Sequence, residues 1–273
     1  MKTIIAPTDF STVSLNAVNY AADMAVALRA ELILLHVVPI PVTVIEVPLT
    51  EYEYDEMRED AEQELLVLKN QLFLRTHNKI NIHAKLSAGS VEHELEQECK
   101  IKNPFAVIMG TKTGGVSKRF LLGSNTIFAV NHLEYPVLVV PQNAFFKPIQ
   151  KIALASDLEE IRNHNTINFL SDWLYSFKST LDIINVSGHT SLKTTALSES
   201  VSLQNLLSDF EPRFYFIENE NVEEGVYQFI EENQPDLLVV IPRKYGLFEN
   251  MFHKSESKQF VLHSHIPVLT IIG

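Results

Sequence analysis

Cysteine, glycine, basic residues and long apolar runs are all scarce in this chain. A single cysteine, Cys99, stands among 273 residues, which excludes an intramolecular disulfide framework and any site built from several thiolates. Nine glycines against twelve prolines exclude collagen-like and low-complexity readings. Lys and Arg number 22 against 34 Asp and Glu, a net charge of −12. A body so acidic repels a polyphosphate backbone unless cations are concentrated somewhere. The densest cationic stretch, Lys112, Lys118 and Arg119, is too thin for that, and general nucleic-acid binding is not expected. No apolar run approaches the roughly 18 residues of a membrane span, and Asp9 interrupts any signal-peptide core. At roughly 150 residues per domain, the expectation is a cytoplasmic protein of two α/β domains.

What is present alternates regularly. Residues 2–6 (KTIIA), 31–38 (ELILLHVV), 105–109 (FAVIM) and 136–140 (PVLVV) are continuous apolar runs, as strands buried on both faces must be. Residues 79–86 (KINIHAKL) alternate and predict a strand with one exposed face. Helical stripes lie between them: Ala17, Ala21, Met24, Leu28; Met57, Ala61, Leu65, Leu68, Leu72; Val91, Leu95, Cys99; and Ile127, Val130, Leu133. This βαβαβαβαβ order predicts a doubly wound parallel sheet with helices on both faces. Residues 141–150, bracketed by Pro141 and Pro148, read as a linker, after which the pattern restarts. Residues 151–157 (KIALASD) echo 2–9 (KTIIAPTD), and 181–186 (LDIINV) echo 32–37 (LILLHV). At an offset of 131, Ser124 falls on Ser255 and 136–138 (PVL) on 267–269 (PVL). The chain is a tandem duplication, 1–141 and 151–273.

Ligands of open parallel sheets bind at the carboxyl ends of strands, where strand order reverses. In the first repeat two strand ends carry unusual residues: Pro7-Thr8-Asp9-Phe10-Ser11 after the first strand, and Gly110-Thr111-Lys112-Thr113-Gly114-Gly115 after the fourth. Nine residues separate Thr113 from Gly123-Ser124-Asn125-Thr126, which opens a helix, with Ser124 the expected N-cap. Glycines ahead of a helix N-terminus invite an anion, most naturally a phosphate.

These residues resemble the universal stress protein family, and the tandem two-domain type within it. The family pattern is Gly, two residues, Gly, nine residues, Gly, then Ser or Thr. Gly110, Thr113 and Gly123-Ser124 keep the spacing, with Thr113 where the second glycine belongs. The opening Pro7-Thr8-Asp9-Phe10-Ser11 and the strand ending His36-Val37 resemble it too. The resemblance implies two five-stranded sheets of order 3-2-1-4-5 related by a pseudo-twofold axis, with the last strands as each other's partners. It implies ATP as ligand, with Mg where a metal accompanies it, and a ligand-binding stress-response regulator rather than an enzyme. Asp9 and the Val37 backbone would contact the adenine end, Pro7, Thr8 and Gly110 the ribose, and Thr113, Gly123, Ser124 and Asn125 the phosphates. If the second glycine needs positive φ, a β-branched Thr113 is strained there and Gly114 takes over by a one-residue shift.

In the second repeat Asp157 persists, but Gly110 becomes Ile241, Thr113 becomes Lys244 and Gly123 becomes Lys254, with Pro242 in the loop and only Ser255 retained. One nucleotide per chain is expected. The partner is a small nucleotide, not nucleic acid or membrane; a homodimer beyond the internal pair stays open. Cys99 sits in an apolar stripe and reads as core. His253, His263 and His265 lack a carboxylate at ligand spacing and read as surface residues. P-loop, dinucleotide-binding, nucleophile-elbow and kinase signatures are missing. The rival readings are an ATP-hydrolysing enzyme using Asp9 with a metal, and an interaction scaffold with both sites degenerate.

Overall fold

A computed structural model of the protein describes residues 1–40, 51–114, 119–156, 164–187, 200–201, 203–241 and 265–271. It is an α/β fold dividing into two compact units, 1–110 and 111–273. The first unit holds β1 (Thr3–Pro7), α1 (Thr12–Leu28), β2 (Glu31–Val38), α2 (Glu51–Arg75), β3 (Ile82–Ala88), α3 (Val91–Lys102) and the start of β4 (Ala106–Gly114). Its strands lie in the order β3-β2-β1-β4, all parallel. The chain steps outward from β1 to β3 and then crosses back to β4, so right-handed crossovers put α3 on the face opposite α1 and α2. The carboxyl ends of β1 and β4 therefore flank the switch point.

The predicted stripes are buried except at their ends: Met57, expected on the inner face of α2, is exposed, and Leu28, Val91 and Ile127 are half-buried. Ala17, Ala21 and Met24 of α1, Leu65, Leu68 and Leu72 of α2, and Leu95 and Cys99 of α3 are buried. Burial pushes the Cys99 thiol up to about 12, which keeps it protonated and inert. Ser11 caps α1 by accepting from the Ser14 N–H, and Ser90 caps α3 through the His93 N–H. Both helices end on a left-handed residue, Arg29 and Asn103.

The second unit contains β5 (Arg119–Leu121), α4 (Ser124–His132), β6 (Val137–Pro141), β7 (Lys151–Ala155), α5 (His164–Phe177), β8 (Thr180–Ser187), β9 (Arg213–Glu218), α6 (Val222–Asn233), β10 (Leu237–Val240) and β11 (Val268–Thr270). Strands of the second repeat take the order β9-β8-β7-β10-β11, which is 3-2-1-4-5, all parallel. The ladder continues from β11 onto β6, antiparallel, with Val268 opposite Val139, Leu269 opposite Leu138 and Thr270 opposite Val137. Leu138 and Leu269 are equivalent at the offset of 131, and the flanking pairs exchange equivalent positions. That is a local two-fold between the last strands of the two repeats, and it closes two apolar edges that would otherwise invite aggregation. The Thr270 hydroxyl adds a bond to the Val137 carbonyl at 3.2 Å.

Two local expectations change. The fourth strand does not end before Gly110: β4 continues to Gly114 and returns as β5, with Lys112 opposite Leu121 and Thr113 opposite Phe120. Alternating β-branched threonines in residues 111–113 favour extension over a glycine-rich loop. The N-cap of α4 is Gly123 rather than Ser124, with φ −69° and ψ 160° and no side chain capping the turn.

Candidate functional site

The carboxyl end of the first sheet is assembled from β1, β2, β4 and the first turn of α1. Beyond Pro7 the Thr8 N–H donates to the Leu35 carbonyl at 2.9 Å, the last bond tying this strand end to β2. The chain then turns sharply through Phe10, whose φ of 59° is unusual for an aromatic residue. Side chains hold that turn. The Ser11 N–H donates to Asp9 Oδ1 at 3.0 Å, and the Phe10 N–H to Thr8 Oγ1 at 3.0 Å. Thr8 Oγ1 and Ser14 Oγ lie 3.1 Å apart. Thr8 is buried and Asp9 exposed. Burial pushes the Asp9 carboxyl up, but hydrogen bonds from Ser11 and Ser14 outweigh it and leave the group below its ordinary value. A charged carboxylate is thus held at the strand end, as an acceptor for a base edge or a sugar hydroxyl.

Val37 acquires its role from strand alternation. The Leu35 carbonyl faces β1, accepting from Thr8, whereas the Val38 carbonyl faces β3, accepting from Gly89 at 3.0 Å. Backbone groups of alternate residues in a parallel strand point to the same side, so the N–H and C=O of Val37 face the β1 side. The β1 ladder ends at Pro7 opposite Leu35. Val37 therefore directs a donor and an acceptor past the end of β1.

Sequence reasoning missed one residue here as a structural participant. His36 Nδ1–H donates to the Thr8 carbonyl at 2.7 Å, and its ring lies on Phe10 with centroids 4.5 Å apart. The carbonyl acceptor fixes the tautomer, leaving Nε2 as the acceptor of the neutral ring. The signal lay in the repeat: Asn185, at the equivalent place, donates from Nδ2 to the Ser156 carbonyl at 3.1 Å.

Gly110 is needed for a reason internal to the fold. A Cβ there would stand 2.5 Å from the Val13 carbonyl oxygen and 2.8 Å from Val13 Cγ1, so the first turn of α1 lies against it. The β1–β4 register pairs Ile5 with Val107, and continuing it sets Gly110 level with Thr8. Pro7, Thr8, Asp9, Val37 and Gly110 thus share one end of the first unit.

Thr113, Gly123, Ser124 and Asn125 belong to the second unit. Thr113 occupies the extended strand β4, where a β-branched residue is at home, so the anticipated backbone strain does not arise. Around Gly123 a Cβ would meet nothing within 4 Å, and the first turn of α4 opens with an uncapped N-terminus whose Gly123 carbonyl accepts from Ile127 at 2.9 Å. Ser124 is exposed and Asn125 half-buried. In the second repeat Ser156 and Ile241 are buried; Asp157, Pro242, Lys244, Lys254 and Ser255 lie outside the described residues, as do His253 and His263. His265 is exposed beside Glu231, 3.4 Å away. Among the described residues no group of three or more His, Cys, Asp or Glu is placed to hold a metal ion, and no helix is long and apolar enough to cross a membrane.

The comparisons with known proteins agree with one another on family and fold. Universal stress protein MJ0531 of Methanocaldococcus jannaschii is 30% identical over 144 residues, which is 51% of this chain and 81% of that protein. The crystal structure of a universal stress protein from Archaeoglobus fulgidus DSM 4304 superposes with a TM-score of 0.77 at 20% identity, covering 99% of this chain and 98% of that one, a likeness of fold. The model of the universal stress protein family matches residues 1–141. The chain, whose first repeat carries the match, belongs to the universal stress protein family.

Proposed function

We propose that this chain is an adenine-nucleotide-binding regulatory protein taking one ATP per chain in its first repeat, residues 1–141, with residues 151–273 a partner that holds no nucleotide. The observation that carries this reading is the outward-facing N–H and C=O of Val37 past the end of β1, together with the charged and exposed Asp9. An adenine presents one donor and one acceptor along an edge, and a ribose presents hydroxyls to a carboxylate. Pro7, Thr8 and Gly110 supply the sugar's surroundings. Phosphates are assigned to the continuation of β4 and the start of α4, through Thr113, Gly123, Ser124 and Asn125. Open space at Gly123 and the uncapped helix end favour that assignment. Mg would arrive with the nucleotide. The protein is read as a ligand binder in the cytoplasm, and hydrolysis is not assigned to any residue.

The test is calorimetric titration of the full chain with ATP and, separately, with tripolyphosphate. One ATP per chain is expected for the wild type. Gly123→Val should lose ATP and tripolyphosphate alike, since its side chain stands where phosphate must approach. Asp9→Ala should weaken ATP about tenfold or more, one charge-assisted hydrogen bond, and leave tripolyphosphate unchanged. Equal affinities for all three proteins would refute the site, two ATP per chain would refute the asymmetry, and ADP accumulating during the titration would make it an enzyme.

A further inference from the structure

Helix α2 has two apolar faces. Ala61, Leu65, Leu68 and Leu72 recur at three- and four-residue spacing and are buried. At about 100° per residue, Leu66, Val67, Phe73 and Leu74 fall on the opposite side, within an arc of about 120°. They are 48%, 54%, 45% and 72% exposed. The outer face of a surface helix normally carries charge, and α2 does so in its first half, where Glu59, Asp60, Glu62 and Glu64 are exposed. Its second half instead presents the composition of a covered surface.

That arc is nearly palindromic about the exposed Asn70. A two-fold axis at Asn70 sets Leu66 against Leu74 of a second copy and Val67 against its Phe73. Asn70 then meets Asn70, and each amide offers both a donor and an acceptor to the other. The same antiparallel arrangement carries the acidic first half of α2 past the end of the partner helix at Arg75 and toward the turn that follows it, which holds the exposed His77 and Lys79. No acidic residue occurs from 65 to 91, so this end meets the partner's carboxylates without like-charge repulsion.

We propose that α2 is a self-association surface, through which two copies of this chain pair antiparallel by way of Leu66, Val67, Asn70, Phe73 and Leu74. A 25-residue helix is roughly 37 Å long, and one helix face buries less than the ~800 Å² per partner of a stable interface. The association is therefore weak and concentration-dependent. Carboxylates along the first half of α2 argue against an anionic membrane as the occupant.

Sedimentation of the full chain from about 1 to about 200 μM, spanning the range of weak complexes, should show a shift from one chain to two. Leu66→Glu combined with Leu74→Glu should hold the protein at one chain throughout. Both side chains are exposed, and an unchanged circular dichroism spectrum will show that the fold survives. Asn70→Cys should form a disulfide-linked dimer under mild oxidation, because only this register brings the position to its own copy, and the buried Cys99 does not compete. One chain at every concentration, a dimer indifferent to the two glutamates, no cross-link at position 70, or wild-type protein sedimenting as a single chain with phosphatidylglycerol vesicles would each overturn the proposal.

Discussion

The two repeats solve the same problem at the end of their first strand, and then diverge at the end of the fourth. In the first repeat the Thr8 N–H reaches the Leu35 carbonyl and His36 reaches back to the Thr8 carbonyl. In the second the Ser156 N–H reaches the Ile184 carbonyl at 3.0 Å, and Asn185 reaches back to the Ser156 carbonyl. Both latches satisfy a carbonyl at a strand end that its ladder no longer covers. At the fourth strand the likeness stops. Gly110 has no room for a methyl group against Val13, whereas Ile241 is buried with a full side chain. A frame that tolerates His or Asn as a latch does not tolerate side-chain bulk at a close backbone contact. The lesson is that a duplicated fold keeps its hydrogen-bond closures while its crevice changes shape.

The strand starts differ as well. Phe105 opens β4's approach with its ring 4.0 Å beneath the Lys2 ammonium and its N–H on the Thr3 carbonyl at 2.8 Å. Its counterpart Asp236 accepts from the Gln150 and Lys151 N–H groups at 2.9 and 3.0 Å and pairs with Lys147 at 2.8 Å. Burial raises the Asp236 carboxyl, but the bonds from Lys147, Gln150 and Lys151 prevail and leave it below its ordinary value. A cation over a ring in one repeat does the work of a carboxylate anchor in the other.

The largest effect is expected from erasing the difference at the crevice. Gly110→Ile, which imports the second repeat's residue, should cost about 3 kcal/mol in urea unfolding, the range of severe overpacking, and should displace the first turn of α1. A cost below about 0.5 kcal/mol would mean that the contact with Val13 relaxes freely. Next comes Asp236→Ala, at about 2 kcal/mol for a partly buried carboxylate serving two N–H groups and a lysine. Because the folded-state value is depressed, this stabilisation is complete above the unfolded-state value of about 4 and is lost as pH falls through the lower folded-state value. The gap between wild type and variant should thus be constant from pH 5 to 7 and close below pH 4; a gap independent of pH would remove the charge from the explanation.

The latch gives smaller numbers. His36→Ala should cost about 1 kcal/mol by leaving the Thr8 carbonyl unpaired, while His36→Asn, the second repeat's solution, should recover most of that. Equal losses for the two variants would make the ring's packing on Phe10, not the hydrogen bond, the operative term. The smallest effect is on the fold at Gly123. With φ −69° and open surroundings, Gly123→Ala should leave the unfolding free energy within about 0.5 kcal/mol of wild type. Any loss of nucleotide in that variant would then report on the ligand alone.

Much of this protein was settled by its sequence. Continuous apolar runs alternating with helical stripes required buried parallel strands with crossovers, because such runs cannot be half-solvated. The offset of 131 required a repeat, and the apolar residues 136–140 and 267–271 required a cover for their edges. Asp9 and the glycines mark the first sheet's carboxyl end as unusual in the sequence itself. Only tertiary structure showed that the turn after β1 passes through a left-handed Phe10, that His36 closes on Thr8 rather than ending a strand idly, and that Gly110 is small because of Val13. The last two depend on partners 28 and 97 residues away in the sequence, and a local pattern carries no record of such distances. The extension of β4 through Thr113 escaped for a related reason: threonines between glycines read equally as loop or strand, and the pairing with Arg119–Leu121 decides.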